Sequence, residues 1–147
     1  MDALDLTTRP PRSPRAKLGD LDLLMIARTV DKLRATLPGG NLGEYRIAGF
    51  SSRLLDALGI PEDALRQAIA NADSDADVAD WIRRRTDASR FSEIGEALER
   101  PTVGQRSEDP AYLERYPIAR SLPPDMSHLD VLVADDAAAF ASREAHP

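Results

Sequence analysis

The residues able to do chemistry are unevenly spread along the chain. Arg9, Arg12, Arg15 and Lys17 fall in one segment, residues 8–17, together with Pro10, Pro11 and Pro14. Proline fixes φ and turns its predecessor away from the helical region, so these cations stand along a stiff, extended strip. A guanidinium grips a carboxylate or phosphate with a two-pronged fork. Glu44 and Tyr45 add an acid and a hydroxyl. Arg12, Arg15, Glu44 and Tyr45 are therefore the candidate ligand-binding residues: one arginine would pair with Glu44, and the spare guanidinium with the Tyr45 hydroxyl would receive a small anion.

Other constellations lack a part that their chemistry needs. Asp73, Asp75 and Asp77 open like a calcium loop, but that loop requires Gly at its sixth position and Glu at its twelfth, and Val78 and Arg84 stand there. These acids suit the positive end of a helix instead. Gly39-Gly40-Asn41-Leu42-Gly43 is glycine-rich, yet it follows a helical pattern rather than leading one and has no Lys-Ser/Thr after it, so it reads as a turn. Trp81 beside Arg83, Arg84 and Arg85 mixes an aromatic with positive charge, as nucleic-acid platforms do; the simpler reading is a core tryptophan with arginines at a helix C-terminus. Carboxylate pairs such as Glu93/Glu96, Asp77/Asp80 and Asp135/Asp136 fit solvated helix faces. His128 follows Ser127 near a helix start, where capping or exposure is its expected fate. No catalytic residue, metal site or cofactor is predicted.

Composition narrows the class further. The 147 residues carry 19 Lys+Arg against 25 Asp+Glu, a net charge of −6, which disfavours coating of nucleic acid. There is no Cys, and only two His occur, so thiol chemistry, disulfides and Cys-type metal sites are excluded. Residues 1–50 hold 8 positive and 6 negative groups, and the remainder is acidic throughout. The longest apolar runs, such as residues 23–27, are far too short to cross a membrane. The acidic start of the chain shows no signal-peptide pattern. The expectation is a cytoplasmic protein that engages neither membrane nor nucleic acid.

The elements that must hold these residues follow from period and punctuation. Gly19 and Asp20 open a helix whose stripe is Leu23, Ile26, Val30, Leu33 and Leu37, ended by Pro38-Gly39-Gly40. Residues 43–47 read as a strand without a partner, which makes a sheet unlikely. Ser51 or Ser52 caps a helix with Leu54, Leu55 and Leu58, closed by Gly59. Pro61-Glu62-Asp63 opens another, with Leu65, Ala68, Ile69 and Ala72 inward. Ser74 and Asp77 form a weak capping box before Val78, Trp81 and Ile82. Asp87 caps a helix bearing Phe91, Ile94 and Leu98, and Pro101 stops it. Residues 101–127 form a long connection with one helical turn near Tyr112, which wraps the body so that Tyr116, Ile118 and Leu122 are covered. Ser127 and Asp130 open the last helix, with Leu129, Leu132 and Val133. The fold class is all-α: one domain over residues 1–147, a bundle of about six or seven short helices (20–147) behind an extended Pro/Arg-rich arm (1–19).

Several of these motifs together resemble a bacterial family catalogued as domain of unknown function 5069. They are Asp5-Leu6-Thr7, the run from Arg9 to Arg15, Leu18-Gly19, Asp31-Lys32-Leu33-Arg34-Ala35 and Leu42-Gly43-Glu44-Tyr45. Leu122-Pro123-Pro124 with Asp130-Val131-Leu132 and Asp135-Asp136 resembles the family's close. Many members follow the Gly-Glu-Tyr with a Cys-Pro-Leu-Asp-like stretch, where this chain has Ile47-Ala48-Gly49-Phe50-Ser51-Ser52, which argues against any role for a thiol. The resemblance implies domain extent and brings no activity with it.

Three functional classes remain. First is a non-enzymatic interaction module or homodimer, for which the stripe of the first helix would be the exposed apolar face. Second is a binder of a small anionic metabolite through the arm arginines. Third is an enzyme using a buried carboxylate. The arm itself is either disordered, as its prolines allow, or docked on the first helix and the Gly43-Glu44-Tyr45 turn by its charge.

Overall fold

Seven α-helices and three 3-10 turns, with no β-strand, account for the regular structure of the described residues. The computed structural model describes residues 1–144, with side chains through residue 141. The protein is all-α. Its internal contacts divide it into two compact units, residues 1–95 and 96–147.

In the first unit the helices are α1 (Ile26–Arg34), α2 (Phe50–Leu58), α3 (Glu62–Asn71), α4 (Asp75–Arg85) and the start of α5 (Phe91–Glu99). Helix α1 packs on α2 and α3, and α3 on α4. It begins at Ile26, three residues after Leu23, where the predicted stripe starts. Leu18 and Leu21 exchange backbone hydrogen bonds at 3.0 and 2.9 Å, and the Met25 N–H donates to Pro14 O at 2.7 Å. These bonds close a turn over residues 18–21 and tie the following segment to the arm, and Met25 itself turns into the left-handed region at φ 71° just before the helix starts. Leu21 and Leu23 are buried all the same. The stripe is real, but its first part is not helical.

Ile26, Val30 and Leu33 are fully buried, so the predicted stripe of α1 lies in the protein's own interior. The polar side of α1 is buried too: Arg28, Thr29, Asp31 and Lys32 are 2, 0, 4 and 7% exposed. The N-terminal arm lies along this helix. Leu4 and Leu6 pack with Ala35, Leu42 and Tyr45, and Pro11 and Pro14 are buried. Residues 43–47 form no strand. The Tyr45 N–H donates to Leu42 O at 3.2 Å, making a turn. Gly43 sits in that turn at φ 62°, with Leu6 O and the Thr7 methyl only 3.4 and 3.3 Å from where a Cβ would stand. Glycine is needed there both for the backbone angle and for the approach of the arm.

Local signals set several other boundaries. Gly59 closes α2 in the left-handed conformation, φ 70°, and acids 62 and 63 occupy the first turn of α3. Ser74 Oγ caps α4, accepting from Asp77 N at 3.3 Å, while Asp77 Oδ2 accepts from Asp73 N at 3.0 Å. Helix α2 is an exception, since Gly49 rather than a serine precedes it. Ser51 is instead fully buried and accepts a hydrogen bond from the Thr29 hydroxyl at 3.0 Å, tying α2 to α1. Asp87 caps a 3-10 turn, Ala88–Arg90, that runs into α5. Phe91 is half-buried, whereas Ile94 and Leu98 are buried as their spacing implies.

The second unit contains the end of α5, two 3-10 turns (Val103–Arg106 and Pro117–Ser121), α6 (Pro110–Arg115) and α7 (His128–Glu144). Val103, Tyr112, Ala119 and Val131 form its core, flanked by Leu113, Tyr116, Ile118, Leu122 and Met126. The long connection is thus folded onto the last helix. Leu129 and Leu132 are buried as expected, but Val133 is 41% exposed and Val131 is fully buried in its place. No described helix is long and apolar enough to cross a membrane.

Candidate functional site

The arm brings its cations to two helices at once. The Arg12 guanidinium donates from Nε and Nη2 to Asp31, at 3.1 Å to Oδ2 and 2.9 Å to Oδ1, and from Nη1 to Asp75 Oδ2 at 2.8 Å. The Arg12 backbone N–H adds a bond to Asp31 Oδ2 at 2.8 Å. Asp31 lies mid-way along α1 and Asp75 is the first residue of α4, so one side chain joins three segments. Burial alone would lower the Arg12 pKa, but the hydrogen bonds and charges of the two carboxylates more than offset it and raise the pKa further. This is a fork-shaped, partly buried contact that fixes geometry.

The expected pairing of an arm arginine with Glu44 is replaced by this one. Asp31 is already buried on α1 beside the arm, whereas Glu44 is exposed on the turn. Tyr45 is half-buried, and the Arg28 guanidinium carbon lies 5.5 Å from its ring centre. Arg28 also donates to the Arg12 carbonyl oxygen at 3.4 Å. Arg12 and Tyr45 are thus joined through Arg28, to which no local motif of the sequence drew attention. Arg15 is exposed, and its backbone N–H donates to Ser13 Oγ at 3.1 Å.

A second feature lies between α3 and α4. An open depression of about 350 Å³ is lined by Ala68, Asn71, Ala72, Asp77, Asp80, Trp81 and Arg84. Trp81 is half-buried rather than part of the core. Val78, Ala79 and Ile82 fill the inward face of α4, and Trp81 falls beside that face, where the Arg85 guanidinium stacks 4.4 Å from the ring centre. Arg83 turns away to Asp20 at 2.7 Å, which raises the Arg83 pKa and lowers that of Asp20.

The second unit holds a stack of rings that the sequence did not announce. Tyr112 Oη and His128 Nδ1 are hydrogen-bonded at 2.8 Å. Tyr116 lies 5.3 Å from the Tyr112 ring and 5.1 Å from His128, centre to centre. Arg106 and Arg115 cover Tyr112 and Tyr116 at 4.9 Å each. Burial raises the Tyr112 pKa, with Tyr116 adding to the effect and Arg106 opposing it. Beside them Ser127 donates to Glu99 Oε2 at 2.7 Å and accepts from Leu129 N, so Ser127 caps α7 while His128 turns to the tyrosines. The spacing of Tyr112 and Tyr116, one helical turn apart, was the available signal for the ring pair.

Residues 8–116 match the family described as a domain of unknown function (DUF5069). The chain belongs to that family. The matched stretch contains the Arg12 fork and the α3–α4 depression, and it ends at Tyr116, before the Leu122-Pro123-Pro124 segment and His128. Within the DUF5069 region, then, lie the cationic part of the arm from residue 8 onward, α1 to α6 and the tyrosine pair, while the imidazole that bonds Tyr112 comes from beyond it. No curated protein matches the chain.

Proposed function

We propose that this DUF5069 protein is a bacterial cytoplasmic binding module rather than a catalyst, and that it meets a protein partner through the face of α3 and α4 centred on Trp81. The observation that carries this reading is the placement of the chain's one tryptophan, half-exposed in an open depression with arginines around it. Tryptophan and arginine are enriched among the residues that dominate protein contacts: the indole buries a large rigid area at two rotatable bonds, and the guanidinium adds a planar, pre-organised set of donors. The stripe of α1 is no longer available for that role, being interior. The arm reading of anion binding is weakened for a similar reason: Arg12 spends its donors on Asp31 and Asp75. The same fork weakens the enzymatic reading, since it locks the buried carboxylate Asp31.

Site-specific photocross-linking in cells tests this reading. With p-benzoylphenylalanine in place of Asn71, at the rim of the depression, a discrete adduct is expected, and none from the exposed control position Glu108. An adduct of twice the protein's mass identifies the partner as a second copy. Equal labelling at both positions, or none at position 71, overturns the assignment of this face.

A further inference from the structure

The depression holds carboxylates as well as arginines, and their engagement differs. Asp77 Oδ2 accepts from Asp73 N at 3.0 Å, and Asp80 Oδ1 meets Arg83 at 3.4 Å. Arg84 is exposed at the same rim, and no described residue pairs with it, although Asp80 sits one helical turn before it. Arg85 meets only the Trp81 ring among the described residues. Arg84 and Arg85 thus lack an acidic partner among the described residues, against the single carboxylate Asp77 that no cation meets, so the balance of unpaired charge is cationic beside an accessible indole. The hollow is open, whereas a small-molecule site encloses most of its ligand; it suits side chains projecting from a larger partner.

We propose that the surface takes an acidic segment of a partner protein, in which a carboxylate forks onto Arg84 and a neighbouring apolar side chain lies on Trp81. The proposal rests on the reading of this face as the contact surface and names the chemistry of its partner. An acidic rather than basic occupant follows because Asp80 meets Arg83, and Arg84 with Arg85 outnumbers Asp77, which is held only by the Asp73 backbone N–H. Charge pairing at an exposed rim governs specificity and rate of encounter more than strength, so weak, salt-sensitive binding is expected.

Trp81 is the only tryptophan, so its emission reports the site directly. The probe is an acetylated, amidated hexapeptide, Glu-Asp-Leu-Phe-Glu-Asp, titrated into the full chain. A saturable change in emission is expected, weakened about tenfold or more by Arg84→Glu and only slightly by Arg84→Lys. The thermal midpoint of Arg84→Lys should match wild type, and that of Arg84→Glu should fall only slightly, from repulsion with Asp80 and the helix C-terminus. The isosteric amide peptide Gln-Asn-Leu-Phe-Gln-Asn should bind at least about tenfold more weakly. Equal binding of the amide peptide, or binding unchanged by Arg84→Glu, overturns the acidic assignment while leaving the face reading intact. A position-71 adduct that persists with no response to the acidic peptide overturns it as well. Loss of the adduct itself removes the face reading instead.

Discussion

Arg12 is about a third exposed, yet removing it should cost more than a surface ion pair does. Asp31 would stay behind with its side chain only 6% exposed, keeping the backbone N–H of residue 12 and a 3.9 Å contact with Arg34 but losing the guanidinium fork. Stranding a fully buried charge costs about 3–5 kcal/mol, and partial solvation of the Arg12–Asp75 half reduces this, so we expect Arg12→Ala to lose about 2–3 kcal/mol in urea denaturation. Arg12→Lys keeps the charge but not the fork and should lie between. The double change Arg12→Ala/Asp31→Asn should regain part of the loss, as a coupled pair must. Additive effects would show that the fork is energetically idle. Trp81 gives the opposite expectation. Because it is half-buried, Trp81→Ala should cost less than about 1.5 kcal/mol, below the roughly 3–5 kcal/mol of a fully buried aromatic. Its emission should be quenched readily by acrylamide in the absence of a partner.

Among the elements, α1 shows how a correct hydrophobic period can coexist with a wrong helix start. Leu21 and Leu23 are buried by a non-helical segment of turns tied to Leu18 and Pro14, and the left-handed Met25 marks where the helix begins. A left-handed non-glycine residue costs about 1–2 kcal/mol, so Met25→Gly should relieve strain. It also deletes a side chain that is 1% exposed, and losing a buried methionine costs about 2–5 kcal/mol. Net destabilisation is expected, and an increase in the denaturation midpoint would show that the strain outweighs the packing. Leu33, fully buried on the same helix, has no such offset. Leu33→Ala should cost about 2–5 kcal/mol, and a change under about 0.5 kcal/mol, the range of neutral surface substitutions, would place its stripe outside the core.

For the molecule as a whole, each of the two units has titratable groups with different demands. The second relies on Tyr112, a core residue whose pKa is raised by burial. An unfolded tyrosine ionises near pH 10. Its neutral form is favoured in the folded chain, so the contribution is intact below about pH 10 and is lost as pH rises through the higher folded value. Stability should therefore fall on the alkaline side, followed by circular dichroism against pH. Tyr112→Phe should remove a late-titrating component from the tyrosinate absorbance. If the absorbance curves of variant and wild type differ only in the ordinary range, Tyr112 is not buried as described. The exposed Asp20–Arg83 pair acts at the other end: the lowered Asp20 pKa gives support that is present above about pH 4 and fades as pH falls.

What the sequence determined by itself was what neighbouring residues decide together. Gly59 after the leucines of α2, the acids after Pro61 and the Ser74 cap of α4 each act within one turn of chain, where backbone sterics and unpaired N–H groups set the outcome. The all-α class and the family resemblance rest on such short-range patterns. The candidate site was legible only in part. Arg12 was found because prolines and cations mark the arm, but its partners lie 19 and 63 residues away, and no local rule selects Asp31 and Asp75 over Glu44. Asp31 became the partner because the arm covers the polar side of α1, and a helix buried on both sides cannot be told from an amphipathic one by its stripe alone. Trp81 looked like core because large apolar side chains usually are. The tertiary packing of α4 on α3 filled the inward face with Val78, Ala79 and Ile82 instead, and left the indole at the edge. His128 met Tyr112 across 16 residues for the same reason: the path of the connection, rather than any residue's own preference, brings the two rings together.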